Sequence, residues 1–317
     1  MIKRLSGGFI QLWSDDRLIN DERWRRVLSE MKELEMDTAI IQFMDTAESI
    51  KFDESWRIAE IIFTYAQQYD IKVFLGLYGP PEGELGSSDS VTVEKLNISK
   101  AESIRVATLL EEKFRDEQQF YGWYLPLESW TGNYNQVTIA NLNSYYKGLT
   151  AAVKGLLPDK KVLISPFINA GRTTPAKTRD VYTEILRDTG IDILALQDGV
   201  GAGYINVDDP ELPAYFTEMC AACTGNNIAM WGNVESFTRK DGNMTAADPA
   251  RFLKQLDLAQ TGSRIITFDF FHYMNTGYIL EGTARPPRYK ETVKLLNRKY
   301  KAWLAARETT LSDGRCH

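Results

Sequence analysis

Two glutamates stand at the ends of apolar runs, Glu128 in WYLPLESW and Glu235 in WGNVESF. A carboxylate placed there costs several kcal/mol to bury unless it is hydrogen-bonded or put to use. Paired carboxyls suit the cleavage of a glycosidic bond. One acid protonates the leaving oxygen, and the second acts as nucleophile or as base on water. Trp130 and Trp231 lie beside the pair and offer flat apolar faces to the C–H side of a sugar ring. Asn169, Gln197 and Asn233 offer amides to its hydroxyls. The competing reading makes both glutamates structural, each paired with Arg or Lys at a rim.

Other chemistries are poorly supplied. With His272 and His317 the only histidines, a multi-histidine metal centre cannot be assembled. No G-x-S-x-G elbow is present to make a Ser-His-Asp triad with His272. Cys220 and Cys223 form a C-x-x-C, but within an amphipathic helical pattern rather than at a strand-to-helix redox turn. No lysine ends a strand, which argues against Schiff-base chemistry. What remains is carboxylate chemistry.

Such residues need elements to aim them. Near-continuous apolar runs, as expected of strands buried on both faces, recur at 6–13, 38–43, 72–78, 120–128, 161–167, 192–198, 227–237 and 263–270. Helical patterns alternate with them, from DERWRRVLSEMKEL after the first run to RYKETVKLLNRKYKAWLA after the last. Eight strands, eight helices and a repeat of roughly 37 residues predict a single (β/α)8 barrel over residues 1–317, with its site at the C-terminal face of the strands. A doubly wound open sheet is the alternative. Against it, GVGAG (199–203) leads into YINVDDPEL rather than into a helix, so the nucleotide fingerprint is missing. Two long polar loops, 79–97 and 198–212, are expected at the mouth.

In a parallel barrel the strand ends converge, so they can be read as one surface. Around the mouth this gathers Gln11, Trp13, Gln42, Asp45, Tyr78, Trp123, Tyr124, Glu128, Trp130, Ser165, Phe167, Asn169, Gln197, Asp198, Trp231, Asn233, Glu235, Asp269, His272, Tyr273 and Asn275. Trp13, Gln42, Tyr78, Trp130, Asn169, Gln197, Asp198, Trp231, Asn233, Asp269, His272 and Tyr273 are the candidate substrate contacts. About half of Trp13, Trp123, Trp130 and Trp231 are expected to be core, as are Trp24 and Trp56, because barrel interiors bury aromatic layers too. Asp198 has three open roles: inverting base, hydroxyl ligand, or Asx-turn former before Gly199. Asp269 reads as a buried partner for Arg or a backbone amide, or as a ligand.

The chain has 317 residues and a net charge of −6, with 44% hydrophobic and 25% charged residues, the make-up of a globular domain. That balance gives no footprint for nucleic acid or for a membrane surface. No apolar run approaches the roughly 20 residues that span a bilayer. The start MIKRLSGGFIQLW lacks an apolar segment before a cleavage site. The expectation is a cytoplasmic protein, or one secreted or periplasmic after loss of a leader.

The segments GWYLPLE, ISPF, LQDGVG, WGNVESF and FDFFHYMN resemble the strand-end signatures of an uncharacterised family of TIM-barrel proteins regarded as candidate glycoside hydrolases. The likeness runs from GGFIQLW to FDFFHYMN. It is similar, more distantly, to clan A retaining glycoside hydrolases, which place their two glutamates at the ends of strands four and seven. The resemblance implies Glu128 as acid/base and Glu235 as nucleophile. That clan has Asn before the acid/base, whereas this chain has Leu127, so either Asn169 or Asn233 holds the sugar 2-hydroxyl or the mechanism differs. The scheme takes a carbohydrate substrate and needs neither cofactor nor metal. Two alternatives stand beside it: a carbohydrate-binding barrel without turnover, and a carboxylate-based isomerase or lyase with a metal on Asp45, Asp198 and Asp269.

Overall fold

The apolar runs become strands because each lies between the barrel axis and a surrounding layer of helices, so that both faces are buried. In the computed structural model, which describes residues 3–46, 52–80, 91–132, 134–277 and 287–312, eight parallel strands close on themselves. They are β1 (Leu5–Ile10), β2 (Thr38–Ile41), β3 (Lys72–Gly76), β4 (Phe120–Leu125), β5 (Lys161–Ile164), β6 (Ile193–Gln197), β7 (Ala229–Glu235) and β8 (Arg264–Phe268). Each pairs with the next in sequence, and β8 returns to β1 through Leu5↔Ile265 and Gly8↔Thr267. The chain is a (β/α)8 barrel, and closure disposes of the open-sheet alternative.

The helices follow their strands: α1 (Asp21–Glu33), α2 (Phe52–Tyr69), α3 (Val93–Phe114), α4 (Gln136–Leu156), α5 (Pro175–Ile185), α6 (Leu212–Gly225), α7 (Pro249–Leu258), the single turn α8 (Phe270–Tyr273) and α9 (Pro287–Ser312). Side-chain caps start most of them. Asn20 accepts from Arg23 N, Asn135 from Thr138 N and Asp248 from Arg251 N, and Pro175 and Pro249 fill first-turn positions that need no N–H donor. The polar loop expected over 79–97 is shorter at its far end, because Thr92 caps α3 from within it. Residues 81–90 of that loop lie outside the described residues.

Most strands end two or three residues before their apolar runs do. β1 stops at Ile10 rather than 13 and β4 at Leu125 rather than 128. The residues so released open the loops at the mouth. Gly76, ending β3, shows how tightly this end is packed: a Cβ there would lie 2.0 Å from the Gln42 carbonyl oxygen. Gly76→Ala is therefore expected to cost about 1–3 kcal/mol, read as a lower urea midpoint, and to displace Gln42 from its place in the site.

Glu30 of α1 accepts from Thr276 N at 2.5 Å, Thr276 Oγ1 at 2.6 Å and Asn297 Nδ2 of α9 at 3.0 Å. One buried carboxylate thus ties the segment after α8 to two helices. Trp24 is core, stacked on Phe271 at 4.9 Å. Trp56 departs from expectation: it is half-buried, with the Lys113 ammonium 4.0 Å above its ring. Among the described residues no helix is long and apolar enough to cross a membrane.

Candidate active site

Alternation along β7 sends Trp231, Asn233 and Glu235 to the barrel interior. Trp231 meets Phe74 of β3 across the axis, and Asn233 Nδ2 donates to Ser165 Oγ at 3.0 Å. Glu235, the last of the three, sits just inside the mouth and is 2% exposed. Its Oε2 accepts the Ala202 N–H at 2.8 Å, because the loop after β6 folds over it. That approach requires glycine at 201. A Cβ there would lie 2.9 Å from Glu235 Cβ and 2.4 Å from the Phe237 carbonyl oxygen.

Asp198 follows β6 and faces outward, toward α7. Its Oδ1 accepts from Val200 N at 3.1 Å and Glu235 N at 3.4 Å, and its Oδ2 accepts from Gln255 Nε2 at 2.6 Å. The turn-forming role among its three open ones is thus occupied. Burial, then the neighbouring charge of Asp198, pushes Glu235 above the usual carboxylate range, and burial raises Asp198 as well. Arg251 of α7, which donates to the Phe237 carbonyl at 2.6 Å, opposes both shifts with its charge.

A carboxyl whose folded pKa is raised favours the native state at low pH, and the benefit is lost as pH rises from the unfolded value through the folded one. Glu235→Gln removes that loss. The variant is expected to exceed the wild type in stability above pH 7 by about 1–3 kcal/mol. The difference should vanish toward pH 4. Urea midpoints at pH 4 and pH 8 check this, and equal midpoints at pH 8 would count against the buried pair.

Glu128, beyond β4, is half-buried, and its Oε1 accepts from Gln42 Nε2 at 3.0 Å. Beneath it lies the fully buried Tyr124, whose phenol is raised well above its usual range by burial and then by the Glu128 charge. Glu128 thus has a polar neighbour just beyond β2 and a phenol below.

Trp130 and Phe167 extend the sheet upward beyond the strands proper, joined by parallel bridges that run on to Gln197. Tyr204 stacks on Phe167 with centroids 5.3 Å apart and 21° between the planes, and Arg172 lies over the Trp130 ring at 5.5 Å. Asn169 is buried near them, its N–H donating to Thr131 Oγ1 at 2.9 Å. Tyr78 is half-buried, in the short parallel pair of Tyr78–Gly79 with Asp45–Thr46.

Trp13, half-buried after β1, stacks on His272 at 3.8 Å and 17°. His272 is fully buried, with Nδ1 2.6 Å from Asp269 Oδ2 and Nε2 3.2 Å from Asp16 Oδ2. Burial alone would pull the imidazole down, but the charges of Asp269 and Asp16 outweigh it and hold the imidazole above its usual value. Asp269 also caps α8 through Phe271 N at 2.9 Å.

Several of the expected contacts are deeply buried in the free protein. Asp269, His272, Tyr273 and Asn233 show no exposed surface, and Gln197 donates from Nε2 to the Ser165 carbonyl at 2.8 Å. They build the layers beneath and beside the mouth rather than its surface. Trp231 lies lower still. The Arg264 guanidinium is 5.1 Å from its ring, and both line a cavity of about 630 Å³ at the N-terminal end of the strands with Tyr121, Lys161 and Asp192. Trp123 is buried against Phe120 on the helix side, so two of the four strand-end tryptophans are core. Asp45 pairs with Arg105 at 2.5 Å, far in sequence and partners from Asp198 and Asp269. Among the described residues no three His, Cys, Asp or Glu are arranged to hold a metal. Cys220 and Cys223 lie on α6, and burial pushes the Cys223 thiol up.

The sequence reading missed the contributors that reach Glu235 from outside β7. These are Ala202, Gln255, Arg251 and a hairpin of Phe237–Lys240 with Asn243–Ala246. The hairpin had a signal, Asp241-Gly242 between strand-like flanks, and both residues have positive φ as a two-residue turn requires. Gln255 had one too, a lone amide on the face of α7 that buries Phe252 and Leu256.

Residues 5–278 match the sequence profile described as Domain of unknown function (DUF4434). No curated protein matches the chain. Among solved structures, a protein described as a candidate alpha-L-fucosidase from Bacteroides thetaiotaomicron superposes with a TM-score of 0.73 at 19% identity, covering 95% of this chain and 96% of that one. An endo-1,4-beta-mannanase from Rhizomucor miehei superposes with a TM-score of 0.61 at 12% identity, covering 84% and 86%. At these identities the likeness is one of fold.

Proposed function

The chain belongs to the DUF4434 family, and from that premise we propose that it is an O-glycosyl hydrolase of retaining mechanism acting on a carbohydrate. The observation that carries the reading is the placement of Glu128 and Glu235 beyond β4 and at the end of β7 of one closed barrel. Glycosidases of the same fold among its structural neighbours support it. Glu128 protonates the leaving oxygen, and the aromatic residues that follow it sit on the leaving-group side. Glu235 attacks the anomeric carbon, with one oxygen already fixed by the Ala202 amide and with Arg251 supplying positive charge behind it. Water, deprotonated by Glu128, then releases the sugar. Gln42 orients Glu128, and Trp13, Tyr78, Trp130 and Asn169 are the contacts proposed for the sugar.

The environment of Glu235 favours a second reading in which the roles exchange. As the more deeply buried carboxyl, raised by Asp198, it would hold the proton, and Glu128 would be the nucleophile or base. Both readings are tested by the first-formed anomer, followed by proton NMR on a panel of 4-nitrophenyl glycosides. Retained configuration supports the double displacement. Inverted product, or no release from any member, overturns it.

A further inference from the structure

The rim over β4, β5 and β6 carries a feature that catalysis does not use. Arg172 is exposed and lies over Trp130, and none of its guanidinium N–H groups donates to a side chain or carbonyl among the described residues. It forms no ion pair there, although the chain has 43 acidic residues against 37 basic ones. An arginine held against an indole presents its planar fork outward, with its donors unspent. From Trp130 an aromatic row runs on through Phe167, whose centroid is 6.1 Å away, to Tyr204, which stacks on Phe167 and is 38% exposed. A flat face and an oxyanion-binding fork thus share one edge of the mouth.

Deeper in, the two proposed catalytic groups, Glu128 and Glu235, are both carboxyls. An anionic group on the sugar being attacked would be repelled there, whereas one on the leaving group would meet Arg172. We propose that this rim is a leaving-group subsite for an acidic glycan, in which one ring lies against Tyr204 and a carboxylate or sulfate of the same glycan is taken by Arg172. The subsite rests on the catalytic reading for which side is the leaving-group side, but its binding is measurable without turnover.

The test uses the full chain carrying Glu235→Gln, labelled and applied to a printed panel of neutral, uronate-bearing and sulfated oligosaccharides. Bound glycans are expected to be oxyanion-bearing, at least ten-fold tighter than their neutral counterparts, with signal falling as sodium chloride rises from 50 to 500 mM. Adding Arg172→Met should abolish that preference, and Arg172→Lys should retain part of it. Tyr204→Ala should weaken neutral and acidic glycans alike. The uronate and sulfate arms separate the two sources of the anion. Binding confined to neutral glycans, binding to none, or a preference unchanged by Arg172→Met overturns the proposal. If instead the wild type and the Glu128→Gln and Glu235→Gln variants turn over equally, the catalytic reading fails and the oxyanion preference is still read independently.

Discussion

Glu235→Gln is expected to lower turnover by about 10⁴-fold or more on every glycoside, because a nucleophile has no substitute within the site. Glu128→Gln should behave differently. Proton donation is worth about 10²–10⁴-fold when the leaving group is a poor one. The loss should therefore be large on an alkyl or sugar leaving group and about ten-fold or less on 4-nitrophenyl, which departs without a proton. Steady-state kcat/KM for the two variants on the two leaving groups gives a four-way comparison. The pattern described assigns the acid to Glu128. Leaving-group dependence in Glu235→Gln instead would assign the acid to Glu235, as its burial suggests. Equal small losses in both variants would remove both glutamates from the mechanism. A stability gain in Glu235→Gln alongside lost turnover would show that the site trades stability for reactivity.

The second large effect is on folding. His272→Gln is expected to cost about 3–5 kcal/mol, since it leaves two buried carboxylates, Asp16 and Asp269, without the cation between them. Both ring nitrogens face carboxylate oxygens, an arrangement that favours the imidazolium, which can donate to both. The folded pKa is raised, so the stabilisation is complete below the usual histidine value of 6.5 and is lost as pH rises through the folded value. The gap between wild type and variant should be widest near pH 5 and narrower at alkaline pH. Denaturant titrations across that range check this, and a gap independent of pH would mean that the ring is held neutral. Trp13 fluorescence should shift as well, because its stacking partner is the same ring.

The strands were legible because burial on both faces leaves an unbroken apolar record, as in ILALQ of β6, every residue of which is buried. The ends of the runs misled for the same reason. Leu12 and Leu127 are as buried as strand residues, yet they belong to loops whose backbone has already left the ladder. Glu128 and Glu235 were recognisable as carboxyls out of place in apolar company. What surrounds them was not. The amide of Ala202 carries no side-chain signature, and the bond from Gln42 spans 86 residues. Asn233 and Gln197 looked like sugar ligands because their alternation points inward. Inward also describes the layer just below the mouth, where each finds Ser165.

The covering of Glu235 has a consequence for any attempt to retarget this barrel. The loop after β6 and the hairpin after β7 are sewn together: Arg239 N donates to the Gly201 carbonyl at 2.8 Å, and Ala202 N donates to the glutamate at 2.8 Å. A graft that exchanges one of these loops would leave the other with an unanswered backbone group over Glu235. Variation at this mouth has to be inherited in pairs, with residues 198–204 and 235–246 recombined as one cassette, and the loop after β4 kept with the loop after β5, to which Thr131 N and Phe167 N tie it.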